Sequence, residues 1–322
     1  MTVSVSPPAG VQTPGTLAPP ESPAPHSSPP AEVLIAPAGV APWPLWQRVA
    51  FRFLFVYLAL QIAPWDWLRL VPGVSTLLRP YEAAVDWAVT AANARLFHVR
   101  DPLVPVNGSG DTSYAWAQLW LFLGVAALAA VAWSLVDRKP RSHARLAYWL
   151  RQAMRYYVAS AALGYGIIKL LLLQMPFPTL SQLATPLGDL LPMRFSWMFI
   201  GYSAPYQFFS GAMETVAGLL LLYRRTVTAG LFVAVGAFAN VVMINLAYDV
   251  PVKLYASHLF ACAALLLLFD APRLVRFLVL NQPAPATAAY DRPFAGGWRR
   301  VRSARHFQLA ERQFHWLSEF NR

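Results

Sequence analysis

Runs of predominantly apolar residues recur along this 322-residue chain. A helix needs about 20 residues to cross the roughly 30 Å hydrocarbon core of a bilayer, and several of the runs are that long. Hydrophobic residues make up 57% of the chain and charged residues only 13%, whereas ordinary soluble domains carry about 25% charged residues. We therefore predict an all-α, polytopic membrane bundle whose main partner is the lipid bilayer.

Six membrane-spanning helices are predicted from these runs and the polar segments between them. Their predicted bounds are 46–67, 113–136, 146–173, 206–223, 226–248 and 252–269. Two long outer loops, 68–112 and 174–205, separate them. Residues 80–97 in the first loop have the apolar spacing of an amphipathic helix, and Asp111 or Thr112 is expected near the next helix's N-cap. Prolines exclude a regular span from the second loop, so we expect a re-entrant or lid-like segment buried against protein.

The two ends of the chain differ in composition from the membrane domain, which we assign to residues 45–281. Residues 1–44 are rich in Pro and Ala and are predicted to be a disordered cytoplasmic tail. Residues 282–322 form a basic cytoplasmic tail, in which Gln308 to Phe320 has the pattern of a short amphipathic helix. No signal-peptide pattern begins the chain, so the first membrane helix is expected to act as the insertion signal.

The distribution of basic residues predicts the orientation. With both termini in the cytoplasm, most of the 26 Lys and Arg residues fall on the cytoplasmic side, as the positive-inside rule requires. We therefore expect a multi-pass protein of the bacterial cytoplasmic (inner) membrane. The same rule accounts for the net charge of +11. Because no nucleic-acid-binding motif accompanies that charge, nucleic acid is not expected as a partner.

Polar residues interrupt the apolar sequence between Asn240 and His258. Ionisable groups within membrane helices are costly to bury, so they are candidates for a functional site. The predicted topology places Lys169 and Glu214 at the same outer-leaflet depth as this stretch, beneath the second loop. Asn245 and Asp249 lie four residues apart and are predicted to share a helix face. The candidate ligand-binding residues are Lys169, Asn240, Asn245, Asp249, Lys253 and Tyr202.

Two interpretations of these charges remain open. Two ion pairs between helices can simply hold the bundle together. Alternatively, the charges form a site for a small ligand, a lipid headgroup, a quinone or a proton. In that case His258, which titrates near neutral pH, and Glu214 are the candidate catalytic groups. Whether the chain is an enzyme is left open. The single cysteine and the lack of paired His or Glu-x-x-His spacing predict no metal site.

Several polar segments resemble the DoxX-like family of bacterial integral membrane proteins, in particular a longer, mostly uncharacterised branch of it. The matching segments are GSGDT (108–112), YGIIKL (165–170), QMPFPTLSQLATPLGDLLPM (174–193), MFIGYSAPYQFFSGAMETVAGLLLLYRRT (198–226) and NVVMINLAYDVPVKLYASHL (240–259). The resemblance covers about 105–281. It implies a compact helical bundle in the cytoplasmic membrane. Because some relatives are associated with thiosulfate:quinone oxidoreductase or redox-stress complexes, it also implies a quinone cofactor and further membrane or redox subunits.

These observations lead to one functional expectation and two alternatives. We expect a protein that binds or processes a small quinone- or lipid-like molecule in an outer-leaflet polar pocket, as a subunit of a quinone-linked redox complex. The first alternative is a non-catalytic accessory subunit whose charges only hold helices together. The second is a proton-coupled transporter in which Asp249 and Glu214 are protonated in turn, although the chain lacks an obvious inverted repeat.

Overall fold

The computed structural model describes residues 43–106, 110–139 and 142–284, and all regular secondary structure in these ranges is helical. The α-helices are α1 (Leu45–Ile62), α2 (Val74–Ala92), α3 (Ser113–Val136), α4 (Ala144–Leu170), α5 (Leu180–Leu183), α6 (Pro192–Tyr202), α7 (Ala204–Leu222), α8 (Val227–Ala247), α9 (Lys253–Leu268) and α10 (Ala271–Leu274). A 3₁₀ segment, Pro64–Leu70, follows α1, and a π-helical turn, Asn93–Phe97, extends α2. The predicted tail at 1–44 lies outside the described residues except for its last two. The predicted helix at 308–320 also lies outside them.

Three helical segments within the described ranges are long and apolar enough to cross a membrane. They are Leu45–Leu70, Ser113–Val136 and Val227–Ala247. The helical segments Lys253–Leu268 and Ala271–Val279 meet at a bend of 63° and count as a fourth span if the two are taken together. The prediction of a membrane protein is supported at this level. The remaining two predicted spans, α4 and α7, do not meet the same criterion. Polar side chains that they bury within the bundle lower their hydropathy, among them Gln152 and Arg155 on α4 and Gln207 on α7.

The boundaries of several helices follow from local capping. The helix α3 begins at Ser113 as predicted, because the Thr112 side-chain oxygen accepts a hydrogen bond from the Ala115 N–H at 3.2 Å. The second loop has no membrane span, also as predicted, but it is not irregular throughout. It contains α5, which Thr179 and Gln182 stabilise through a capping box, and the eleven-residue α6, which begins at Pro192.

The closest helix contact lies between α4 and α7, where glycines let the two backbones meet. A Cβ atom on Gly211 would lie 2.7 Å from the backbone nitrogen of Leu170 and 2.7 Å from Cβ of Lys169. Gly166 on α4 faces the same contact, since a Cβ there would lie 2.6 Å from the backbone nitrogen of Thr215. Small residues of this kind permit close helix packing in lipid. The contact fixes Lys169 against α7.

Arginines stabilise the end of the bundle where α4 begins and α7 ends. Arg155 donates from its guanidinium to the carbonyl oxygens of Leu221 and Leu222, both at 2.6 Å, and so satisfies the free carbonyls at the end of α7. Arg52 is fully buried and donates to the Asp137 carboxylate at 3.1 Å. Between the two ends lies an apolar core formed chiefly by α1, α4, α7, α8 and α9. Lys169 lies about 21 Å farther along α4 than Arg155, at 1.5 Å per residue.

Candidate functional site

A cavity of about 330 Å³ lies between α4, α7, α8 and α9. Its roof is formed by the loop after α4, by α6 and by the turn between α8 and α9. Polar groups and aromatic rings share its lining, including Tyr165, Lys169, Gln174, Trp197, Glu214 and Asn245. The cavity therefore lies where four helices converge beneath the proline-rich loop.

A buried ion pair joins two of the predicted residues in this cavity. The ammonium of Lys169 donates to Oε1 of Glu214, and the two residues are only 6% and 2% exposed. The second carboxylate oxygen, Glu214 Oε2, has no hydrogen-bond partner among the described residues. Lys169 lies in the last turn of α4, where the helix dipole favours a positive charge. The pair therefore leaves one buried acceptor unused on a residue that lines the cavity.

The two predicted asparagines also line the cavity, with different roles. Asn245 is buried, and its side-chain amide donates to the carbonyl oxygen of Val252 at 3.3 Å. The backbone carbonyl of Asn245 accepts a hydrogen bond from the Val250 N–H at 3.0 Å. Asn245 thus closes the turn between α8 and α9. Asn240 is exposed while it lines the cavity, which places it at the opening.

Asp249 and Lys253 do not line the cavity, and one prediction about them is wrong. The helix α8 ends at Ala247, and Asp249 has a left-handed backbone with a φ of 51°. Asp249 therefore does not share a helix face with Asn245, since its side chain is 83% exposed while Asn245 is buried. Lys253 pairs with it at 2.6 Å. These two residues form a surface ion pair beside the cavity.

Asp111 contributes a contact that the sequence reasoning missed. Its carboxylate accepts from the backbone N–H groups of Lys253 at 2.8 Å and Leu254 at 2.9 Å, and so caps the first turn of α9. The neighbouring Gly110 N–H donates to the carbonyl of Pro251 at 2.9 Å. Local spacing could assign Asp111 only to the next helix, which Thr112 caps instead. The available signal was that Val252, the residue before α9, has no side chain that can accept a hydrogen bond as a cap.

His258 faces α1 and does not line the cavity. Its Nδ1 lies 2.6 Å from the Leu254 carbonyl oxygen, and its Nε2 lies 2.5 Å from the Tyr57 hydroxyl. A carbonyl oxygen can only accept, so the neutral ring carries its proton on Nδ1, and Nε2 accepts from Tyr57. Both ring nitrogens are occupied. The structure thus does not bring His258 to Glu214.

Tyr202 also lies outside the cavity. It is 64% exposed, and its ring stacks near Phe177 with 5.3 Å between the ring centroids. Together with Phe199 and Tyr206 it lines a separate open groove on the second loop. Of the eight predicted site residues, the cavity therefore gathers Lys169, Glu214, Asn240 and Asn245.

Gln207 holds the roof in place and was not identified from the sequence. This residue is only 1% exposed. With its side-chain amide oriented so that both the nitrogen and the oxygen form hydrogen bonds, Gln207 donates to the carbonyl of Met175 at 2.7 Å and accepts from the Met175 N–H at 3.2 Å. Gln207 precedes Glu214 by seven residues and so lies on the same face of α7. That spacing was a usable signal for a polar face directed at the site.

No three His, Cys, Asp or Glu side chains come together as a possible metal site within ranges 43–106, 110–139 and 142–284.

Comparison with known proteins adds limited information about family. No family model matches the chain, and no solved structure matches it. An uncharacterised protein of Bacillus subtilis (strain 168), YwoB, is 35% identical over 75 residues, which cover 23% of this chain and 49% of that protein. The matched segment thus covers about half the length of this relative.

Proposed function

We propose that this chain is a DoxX-like protein of the bacterial cytoplasmic membrane that binds a small quinone- or lipid-like molecule in the cavity. The observation that carries the proposal is the unused oxygen of Glu214. Buried polar atoms in folded proteins are nearly always hydrogen-bonded, and a pair that served only to join α4 and α7 would be expected to satisfy both carboxylate oxygens. Glu214 instead lines the cavity and leaves Oε2 without a hydrogen-bond partner among the described residues.

The walls of the cavity suit a ring that carries oxygen atoms. Ligand sites are usually apolar clefts of about 300–1,000 Å³ with a few placed polar groups, and this cavity has about 330 Å³. Trp197, Tyr165 and Phe238 offer aromatic surface for the ring. The Lys169 ammonium has three protons and donates one to Glu214, so it can donate another to a ligand oxygen. The tail of a quinone- or lipid-like ligand would extend out of the cavity past the exposed Asn240.

The proposed topology has six spans with both termini in the cytoplasm, which makes α4 and α7 the two further spans. The 27 residues of α4 are enough to cross a bilayer. Its polar side chains Gln152, Arg155 and Lys169 are buried, which is the arrangement that membranes tolerate. Arg52 and Arg155 at the opposite end agree with a cytoplasmic position for that end. The cavity then lies in the outer leaflet.

In a quinone-linked complex, this chain would provide the binding site, and other membrane subunits would exchange electrons with the ligand. Lys169 would hold a ligand oxygen, and Glu214 would accept a proton from a ligand hydroxyl when a partner subunit removes electrons. General-base catalysis of this kind requires the base within hydrogen-bond reach of the proton, and Oε2 is available for that contact.

An accessory role without a ligand is the second candidate. The contacts of Asp111 favour it, because both of its carboxylate oxygens are used to fix the start of α9. Arg52 and Asp137 likewise join α1 to the end of α3. The two candidates differ only in what they require of Lys169 and Glu214.

A double substitution separates the candidates. Replacing a buried ion pair by apolar residues of similar volume is often neutral or stabilising, so the variant Lys169→Met with Glu214→Leu should fold. We expect the wild-type protein in lipid nanodiscs to retain a small molecule, identified by mass spectrometry of extracts, and the folded double variant to lose it. The matched control, Asp249→Asn with Lys253→Met, alters the surface pair and should retain it. Equal retention by the folded double variant would show that the pair does not bind the molecule, and the absence of any retained molecule from the wild-type protein would favour the accessory role.

A further inference from the structure

The unpartnered atoms of the residues that line the cavity have a common chemistry. Nine buried side-chain atoms of the described residues lack a hydrogen-bond partner, and two of them belong to residues that line the cavity. These are Oε2 of Glu214 and Oε1 of Gln174. Both are acceptors. A carboxylate oxygen has no proton to give, and an amide oxygen only accepts.

The Glu214 acceptor is fixed by the surrounding structure, and Gln174 lies next to a fixed backbone. Glu214 is 2% exposed and is held by Lys169 through its other oxygen. Gln174 begins the roof, and the next residue, Met175, is held through its backbone by Gln207. The side chain of Glu214 therefore cannot turn to solvent without breaking the ion pair. A preorganised acceptor in a site of low dielectric discriminates strongly between ligands that can and cannot donate to it.

The geometry points to a ligand that donates hydrogen bonds, and we infer that the cavity selects the reduced, hydroxyl-bearing form of an aromatic ring: a hydroquinone rather than a quinone. This inference rests on the proposed function. A hydroquinone hydroxyl can accept from the Lys169 ammonium and still donate to Glu214 Oε2 or Gln174 Oε1, whereas a quinone carbonyl can only accept from Lys169 and leaves both acceptors without a donor. The Lys169–Glu214 pair is already neutral as a unit, so a neutral hydroxyl suits the site and requires no further charge.

Selection of the reduced form has a redox consequence. A site that binds the hydroquinone more tightly raises the midpoint potential of the bound couple, because it stabilises the reduced state. For a two-electron couple, each tenfold preference corresponds to about 30 mV. The cavity would thus retain hydroquinone and release the oxidised ring, as expected for a site where a partner subunit removes electrons.

The test compares the binding of tetramethyl-1,4-hydroquinone and tetramethyl-1,4-benzoquinone. The full chain in nanodiscs is titrated anaerobically by calorimetry, and protein-free nanodiscs correct for partition into lipid. We expect the hydroquinone to bind the wild-type protein at least tenfold more tightly. Equal affinities, or tighter binding of the quinone, would overturn the inference and leave the proposed function standing. Binding of neither form would instead count against the proposed function.

Two variants assign the preference to these atoms. In Glu214→Gln, the amide oxygen can pair with Lys169, and the NH₂ group then replaces Oε2, so we expect the preference to reverse towards the quinone. In Gln174→Met, at the edge of the roof, the preference should fall severalfold even if the first variant fails to fold. Glu82→Gln, which changes an exposed glutamate paired with Arg69, serves as the matched control and should keep the wild-type preference. A preference unchanged in Gln174→Met and in folded Glu214→Gln would show that water, and not the ligand, satisfies the two acceptors.

Discussion

Breaking the Lys169–Glu214 pair from one side should be far more damaging than removing the pair altogether. In Lys169→Met, the Glu214 carboxylate stays within the bundle with both oxygens unpaired. Removing one partner of a buried pair costs about 3–5 kcal/mol, whereas replacing both partners by apolar residues is often neutral or stabilising by about 1–4 kcal/mol. The double variant Lys169→Met with Glu214→Leu should therefore be more stable than the Lys169→Met single variant. The coupling energy of the double-mutant cycle should be several kcal/mol.

Thermal unfolding in a mild detergent, followed by size-exclusion chromatography with fluorescence detection, measures this effect. A change of about 1 kcal/mol shifts the midpoint of a domain of 150–250 residues by about 2–4 °C, so Lys169→Met should lose about 6–20 °C. Glu82→Gln is the control because it breaks an exposed pair with Arg69, and solvent-exposed ion pairs contribute little to stability. If Lys169→Met were no less stable than Glu82→Gln, the pair would not be buried as described and the reasoning would be refuted.

Three further predictions concern the packing around the site. Gly211→Ala should destabilise the protein by about 1–3 kcal/mol through overpacking, while Gly164→Ala, whose added Cβ has no atom within 4 Å, should not. Equal midpoints of thermal unfolding for the two variants would contradict the close contact between α4 and α7. Asp111→Ala should cost about 1 kcal/mol as the loss of a helix cap and should speed amide hydrogen exchange at the start of α9; unchanged exchange there would argue against capping. Tyr57→Phe leaves Nε2 of His258 without its donor and should lower the free energy of unfolding by about 1–3 kcal/mol, with ligand affinity unchanged. A loss of ligand affinity at equal folded yield would indicate that His258 contributes to ligand binding.

Local sequence signals predicted the helices well because helix length and capping depend on near neighbours. The bounds of α3 agree with prediction at both ends, since Thr112 caps it and the apolar run fills it. The end of α8 was predicted one residue too late. Asp249 was placed on the wrong surface because helical spacing was applied to a residue beyond the predicted end of the helix. The residue before a proline is restricted to extended backbone, so Pro251 already limited how far the helix could continue.

The depth of the site was predictable, but the rotation of each helix was not. Successive helices run in alternating directions, so the sequence predicts the height of Lys169, Glu214 and Asn245 along the bundle axis. Which face of α9 meets the cavity depends on packing against α1 and α4. Tyr255 and Leu259 face the cavity, whereas His258 lies roughly 100° away round the helix, at 3.6 residues per turn. Its contact with Tyr57 joins residues 201 positions apart, and no local pattern encodes such a contact.

Photoaffinity labelling with an azido-substituted quinone, followed by peptide mass spectrometry, tests most directly whether the cavity is the binding site. We expect labels concentrated on peptides that contain Tyr165, Trp197 or Tyr255, and we expect their loss from the folded double variant Lys169→Met with Glu214→Leu. Labels concentrated in the open groove around Tyr202, or spread evenly over the outer surfaces of the helices, would contradict it.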